Sequence, residues 1–138
     1  PPRSTLFPYT TLFRSLTLSR IVRDADKLDI ARVMLDHFQA DGPKDNVVFM
    51  GRTGDGDYTP ALVDDIMAGR LGSYETMASA TDFALLLLSW INDMTFPWTR
   101  NQFFARGLVQ GLFAQLPDEP RLTALRDWYC QRHASAAS

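Results

Sequence analysis

Three carboxylates fall within six residues in the run Ile21-Val22-Arg23-Asp24-Ala25-Asp26-Lys27-Leu28-Asp29. Acidic oxygens at this density can coordinate a divalent cation or hold basic partners. On a helix each residue turns by about 100°, so the three point in different directions. Asp24 shares a stripe with Arg20 and Lys27 and reads as solvated. Asp29 stands near Arg32 and Asp36 and also reads as polar. Asp26 differs, because its neighbours at i−4, i+4 and i+7 are Val22, Ile30 and Val33. A carboxylate in an apolar stripe is costly unless it is hydrogen-bonded, paired or bound to metal. Spacing alone leaves two readings: a structural aspartate tied to a neighbouring helix or an arginine, or a functional carboxylate.

The run Arg23-Asp24-Ala25-Asp26-Lys27-Leu28-Asp29 is similar to the segment that closes the metal site in many HD-domain hydrolases. The downstream stretches Ala80-Thr81-Asp82-Phe83 and Leu87-Leu88-Ser89-Trp90-Ile91-Asn92-Asp93-Met94-Thr95-Phe96-Pro97 resemble a bacterial subgroup in which an apolar helix precedes an aromatic-proline turn. The resemblance covers roughly Ser19 to the C-terminus. It implies an all-α fold, an incomplete HD-domain-like helical bundle, with Asp26 as one ligand of a divalent metal. In an intact parent that metal would polarise a phosphoryl oxygen and activate a water, hydrolysing a phosphate ester or nucleotide. Lys27 would be either a phosphate contact or a solvated partner of its acidic neighbours.

This chain departs from the family pattern. Its two histidines, His37 and His133, both follow Asp26, and neither precedes an aspartate. The family's first histidine and its His-Asp doublet should lie upstream of Asp26. One carboxylate cannot fix a divalent ion in a defined geometry. The expectation is an inactive fragment that binds no metal itself. If helices carrying the missing ligands normally cover the first helix, then Val22, Ile30 and Val33 should be partly exposed, and self-association through that face is expected. The alternative is a non-catalytic all-α interaction or regulatory domain in which Asp26 makes a structural ion pair.

Other constellations are weaker. Gly54-Asp55-Gly56-Asp57 lacks the spaced ligands and terminal glutamate of a calcium loop and reads as a turn. His37 lies 11 residues past Asp26, roughly 16 Å along a helix, too far to share a metal. Phe96, Trp98, Phe103 and Phe104 cluster around Pro97 and read as core packing. Cys130 is the only cysteine, so no intrachain disulfide or cysteine-based zinc cluster can form, and packing is its expected role.

The elements that must position these residues are helical. Thr17 to Gln39 carries apolar residues at close to a 3.6 period and ends at Asp41-Gly42-Pro43. Asp45 to Met50 is a short apolar connector or strand. Pro60 starts a helix to about Ala68, with Thr59 as its cap. Ser79 or Thr81 caps the next, which runs to about Asp93. Its centre, Phe83 to Leu88, is apolar nearly all round and should be the most buried element. Phe96-Pro97-Trp98 makes a turn. Thr99 to Arg106 and Leu108 to Leu116 follow, divided at Gly107, and Asp118 is a candidate cap for Arg121 to His133. Ala134 to Ser138 should fray.

The chain has 138 residues, one domain's worth, and 46% hydrophobic residues suffice for a core. A net charge of −2 gives no basic footprint for nucleic acid. No apolar run approaches the roughly 20 residues that cross a bilayer. No stretch of about 7–15 apolar residues opens the chain as in a secretion signal, so the expected compartment is the cytoplasm. Residues 1–15, PPRSTLFPYTTLFRS, contain no acidic residue and show no helical or strand period. They resemble, residue for residue, one frame of a common synthetic sequencing adapter. That divides the chain into a non-native, disordered leader at 1–15 and the C-terminal portion of a single helical domain at 16–138.

Overall fold

The computed structural model describes residues 2–43, 48, 49, 51 and 57–137, with side chains between 14 and 134. Among these the fold is all-α, with no strand. The helices are α1 (Pro2–Gln39), α2 (Pro60–Met67), α3 (Ala80–Ser89), α4 (Pro97–Ala105), α5 (Leu108–Ala114) and α6 (Pro120–Ala137). A 3₁₀ turn, Trp90–Asp93, extends α3.

The apolar run in α3 forms the centre. Ala84 through Leu88 are completely buried, with α2 and α5 packed against this helix. Ser79 caps α3, its hydroxyl accepting from the Asp82 backbone N–H at 3.1 Å. The completely buried Tyr129 of α6 donates its hydroxyl to the Leu88 carbonyl at 2.9 Å, satisfying the one polar atom of a ring that otherwise fills the core. Phe49 bridges Phe38 of α1 and Phe83 of α3 through two edge-to-face contacts. The rest of the expected Asp45–Met50 connector, apart from Val48, lies outside the described residues, as does most of the Gly54-to-Asp57 turn.

Several local expectations are corrected. Thr59 stands at the cap position of α2 but makes no capping bond. Its hydroxyl and its backbone N–H instead both go to the Asp82 carboxylate, each at 2.6 Å. That carboxylate also accepts from the Ala78 N–H at 2.8 Å, so its burial is fully compensated. Glu119 rather than Asp118 serves α6, accepting from the N–H groups of Arg121 and Leu122. Pro97 opens α4 as its first residue instead of sitting inside a turn. Trp98, expected in the core, is 61% exposed, whereas Phe103 beside it is fully buried. Residues 2–15, expected to be a disordered leader, are helical and continuous with the rest of α1. Once the packed segment has formed a helix, its extension adds hydrogen bonds without a new nucleation cost, less the one that Pro8, lacking an N–H, withholds.

Candidate functional site

The acidic run lies mid-way along α1, and its two central aspartates have opposite fates. The buried stripe of α1 comprises Asp24, Leu28, Ala31, Met34, Leu35 and Phe38, packed against α4 and α5. Asp26 lies two residues from Asp24, about 200° around the axis, and is exposed. The reading of Asp24 as solvated is therefore corrected: it is only 2% exposed.

Burial by itself pushes the Asp24 carboxyl up. The N–H groups of Thr95 and Phe96, the Thr99 hydroxyl and the Lys27 charge outweigh it and hold the carboxyl below its usual range. Thr95 donates at 3.0 Å, Phe96 at 2.9 Å and Thr99 at 2.7 Å. The first two donors lie just before α4 and the third in its first turn, and the cap residue Phe96 offers no side-chain acceptor. Asp24 thus fixes the chain's entry into α4 from another helix, placing a negative charge near the positive end of its dipole. Arg23 and Lys27 clamp the same corner, pairing with Asp93 at 2.8 and 2.9 Å. Lys27 thus pairs with Asp93 of the 3₁₀ turn while its charge also acts on Asp24 within the acidic run.

The signal for this arrangement was present in the sequence. A helix that opens Phe-Pro has no Ser, Thr, Asp or Asn at its cap, which leaves its start open to water or to a group from elsewhere in the chain.

Asp26 has the apolar neighbours its spacing required, but the described residues beyond α1 leave that stripe exposed. Val22 is 65% exposed and Val33 46%, and Leu18, Ile21 and Ile30 are exposed beside them. Asp26 has no ion-pair or hydrogen-bond partner among the described residues. His37 is exposed further along the same helix. No three His, Cys, Asp or Glu side chains among the described residues converge to hold a metal ion. Asp26 alone does not define a metal geometry, and no reaction step follows from it.

A cleft of about 320 Å³ opens between α1 and α4, lined by Ala25, Leu28, Asp29, Arg32, Trp98 and Arg106. There the Arg106 guanidinium sits 5.9 Å from the centre of the Trp98 ring. Arg32 is engaged by Asp36 one turn on. Cys130 is half-buried, and burial pushes its thiol up, which keeps it protonated and unreactive at neutral pH. No described helix is long and apolar enough to cross a membrane. No family model matches the chain, and neither a curated protein nor a solved structure matches it.

Proposed function

We propose that this chain is the C-terminal part of an HD-type metal-dependent phosphohydrolase domain of the cytoplasm. In this reading Asp26 is a ligand of the divalent metal, and the substrate is a phosphate ester or nucleotide. One observation carries it: α1 spends Asp24 on internal architecture and holds Asp26 on the opposite, uncovered apolar face. A second apolar stripe left facing water on a helix that is already packed on one side is normally covered by a further element. Helices bearing the histidine and the His-Asp doublet would cover Val22, Ile30 and Val33 and bring their ligands to Asp26. The chain by itself is then inactive and holds no metal.

The test begins with the source DNA, read upstream of the Leu16 codon from a library prepared with a different adapter. The expected result is that residues 1–15 disappear and an open frame continues upstream with a histidine and a His-Asp pair in helical context. The joined chain should then melt at a higher temperature with Mn²⁺ present, and Asp26→Ala should remove that rise. A frame lacking those residues, or a joined chain whose melting ignores metal, sinks the reading.

The aliphatic character of the same face favours a second reading, a non-catalytic interaction or regulatory domain. Asp26 would then pair with a basic group of the partner, and melting would respond to that partner and not to metal.

A further inference from the structure

The second histidine lies far from any role in the first helix. His133, near the end of α6, packs edge-on against Tyr129 at 4.8 Å and Trp128 at 6.0 Å between ring centres. Its Nε2 is buried and has no hydrogen-bond partner. A buried polar atom left unpaired is costly and calls for an explanation. Beside it opens a cleft of about 330 Å³, lined by Ile91, Asn92, Arg100, Arg132 and His133.

The chemistry of this lining is one-sided. Two guanidiniums and an imidazole converge without a carboxylate among them, in a chain whose net charge is −2. Arg100 donates to the Met94 carbonyl at 2.8 Å, which leaves its charge uncompensated. Arg132 is exposed and has no acidic partner among the described residues. Asn92 is engaged with the carbonyls of Ile66 and Arg70, which fixes that wall. A neighbouring cleft that His133 also lines is walled by Ile66, Met67, Ala68, Gly69, Trp128 and again Arg132, and adds no carboxylate. Burial, then the charges of Arg132 and Arg100, push the imidazole down to about 4. Like charges gathered without a counter-ion are an arrangement that an anion relieves, and paired arginines suit planar forks of oxyanion oxygens.

We propose that the cleft bounded by Asn92, Arg100, Arg132 and His133 is a binding site for a tetrahedral oxyanion, a phosphate or sulfate group. The two guanidiniums bind its oxygens. At the edge of the cleft the bound charge offsets the arginines' repulsion and eases protonation of His133, with burial still opposing it. The site uses neither Asp26 nor a metal, so it stands or falls independently of the hydrolase reading.

The chain has two histidines, so its imidazole Cε1–H NMR region contains two signals, with the exposed His37 as an internal control. Sulfate is the first probe, because its charge is constant from pH 5 to pH 8, and chloride at matched ionic strength is the control. The expected result is a saturable shift of the His133 signal alone, with its titration midpoint raised from about 4. Arg132→Ala changes an exposed residue and should leave melting unchanged while weakening sulfate binding at least about tenfold. Inorganic phosphate compared with phenyl phosphate then separates a free anion from a phosphorylated molecule as the natural ligand, and saturable binding of either supports the site. Equal responses of both histidines, an unmoved His133 midpoint at high sulfate, or unaltered sulfate binding by Arg132→Ala would overturn it.

Discussion

Asp24 and Asp26 are chemically identical and two residues apart, yet they should respond oppositely to removal. Asp24→Ala strands three donors at the start of α4 in a buried corner. Urea denaturation should show a loss of about 2–5 kcal/mol. Asp26→Ala, on an exposed face, should stay within about 0.5 kcal/mol of the parent. The reverse ranking would mean that α1 is rotated from the orientation described. Because the Asp24 carboxyl is held below its usual range, its contribution is present above the ordinary carboxylate pKa and fades as pH falls through the lowered value. His133 acts in a different window. Its imidazole is depressed to about 4 from 6.5, so between those values the unfolded chain binds the proton and the folded chain resists it. Without bound anion, the His133 share of stability should fall as pH drops from 6.5 towards 4, below which the Asp24 loss takes over, and His133→Phe should remove the slope between 6.5 and 4. A pH–stability profile of the two proteins decides the matter. Sequence patterning placed Asp26 among apolar neighbours correctly and misjudged Asp24, for one physical reason. Two apolar stripes run along α1, Val22-Asp26-Ile30-Val33 and Asp24-Leu28-Ala31-Leu35-Phe38, and periodicity cannot say which one the rest of the chain covers.

The helices differ in how plainly their residues announced them. The run Phe83–Leu88 has no polar side chain to place outward, so the centre of the fold follows from composition alone. Gly107 was legible as the break between α4 and α5: its φ of 74° is left-handed, a conformation an L side chain adopts at a cost. Gly111 was not legible, because its role is a close approach between elements distant in sequence. A Cβ there would come within 2.4 Å of a Leu35 methyl, and Leu35 is buried where α1 crosses α5. Gly111→Ala should therefore push α1 and α5 apart and cost about 1–3 kcal/mol, even though alanine is the better helix former. Equal or higher melting temperature for the variant would mean that the α1–α5 contact is loose. The Asp82 hub was half legible. Ser79 and Asp82 have the spacing of a capping pair, but the carboxylate reaches across to Thr59 and joins α2 to α3.

At the scale of the molecule the imbalance lies in α1. One side of this helix is sealed by α4 and α5. The other presents Leu18, Val22, Ile30 and Val33 to water, with Asp26 among them. Scattered apolar residues on a surface are ordinary, but a contiguous row along one helix is the mark of an interaction face. Its aliphatic side chains bring area without a fixed polar pattern, so when nothing specific covers them a second copy of the chain is an available partner. The weight-average mass in sedimentation equilibrium should accordingly rise with protein concentration. Replacing Val22 and Val33 with glutamate should hold the chain monomeric at every concentration while leaving its dilute-solution melting temperature nearly unchanged, because neither side chain contributes to the core. Association that survives the double substitution would place the sticky surface elsewhere, with the exposed Trp98 ring as the next residue to replace. A parent that stays monomeric throughout would show that Arg20, Arg23, Asp26 and Asp29 solvate the row well enough to keep copies apart.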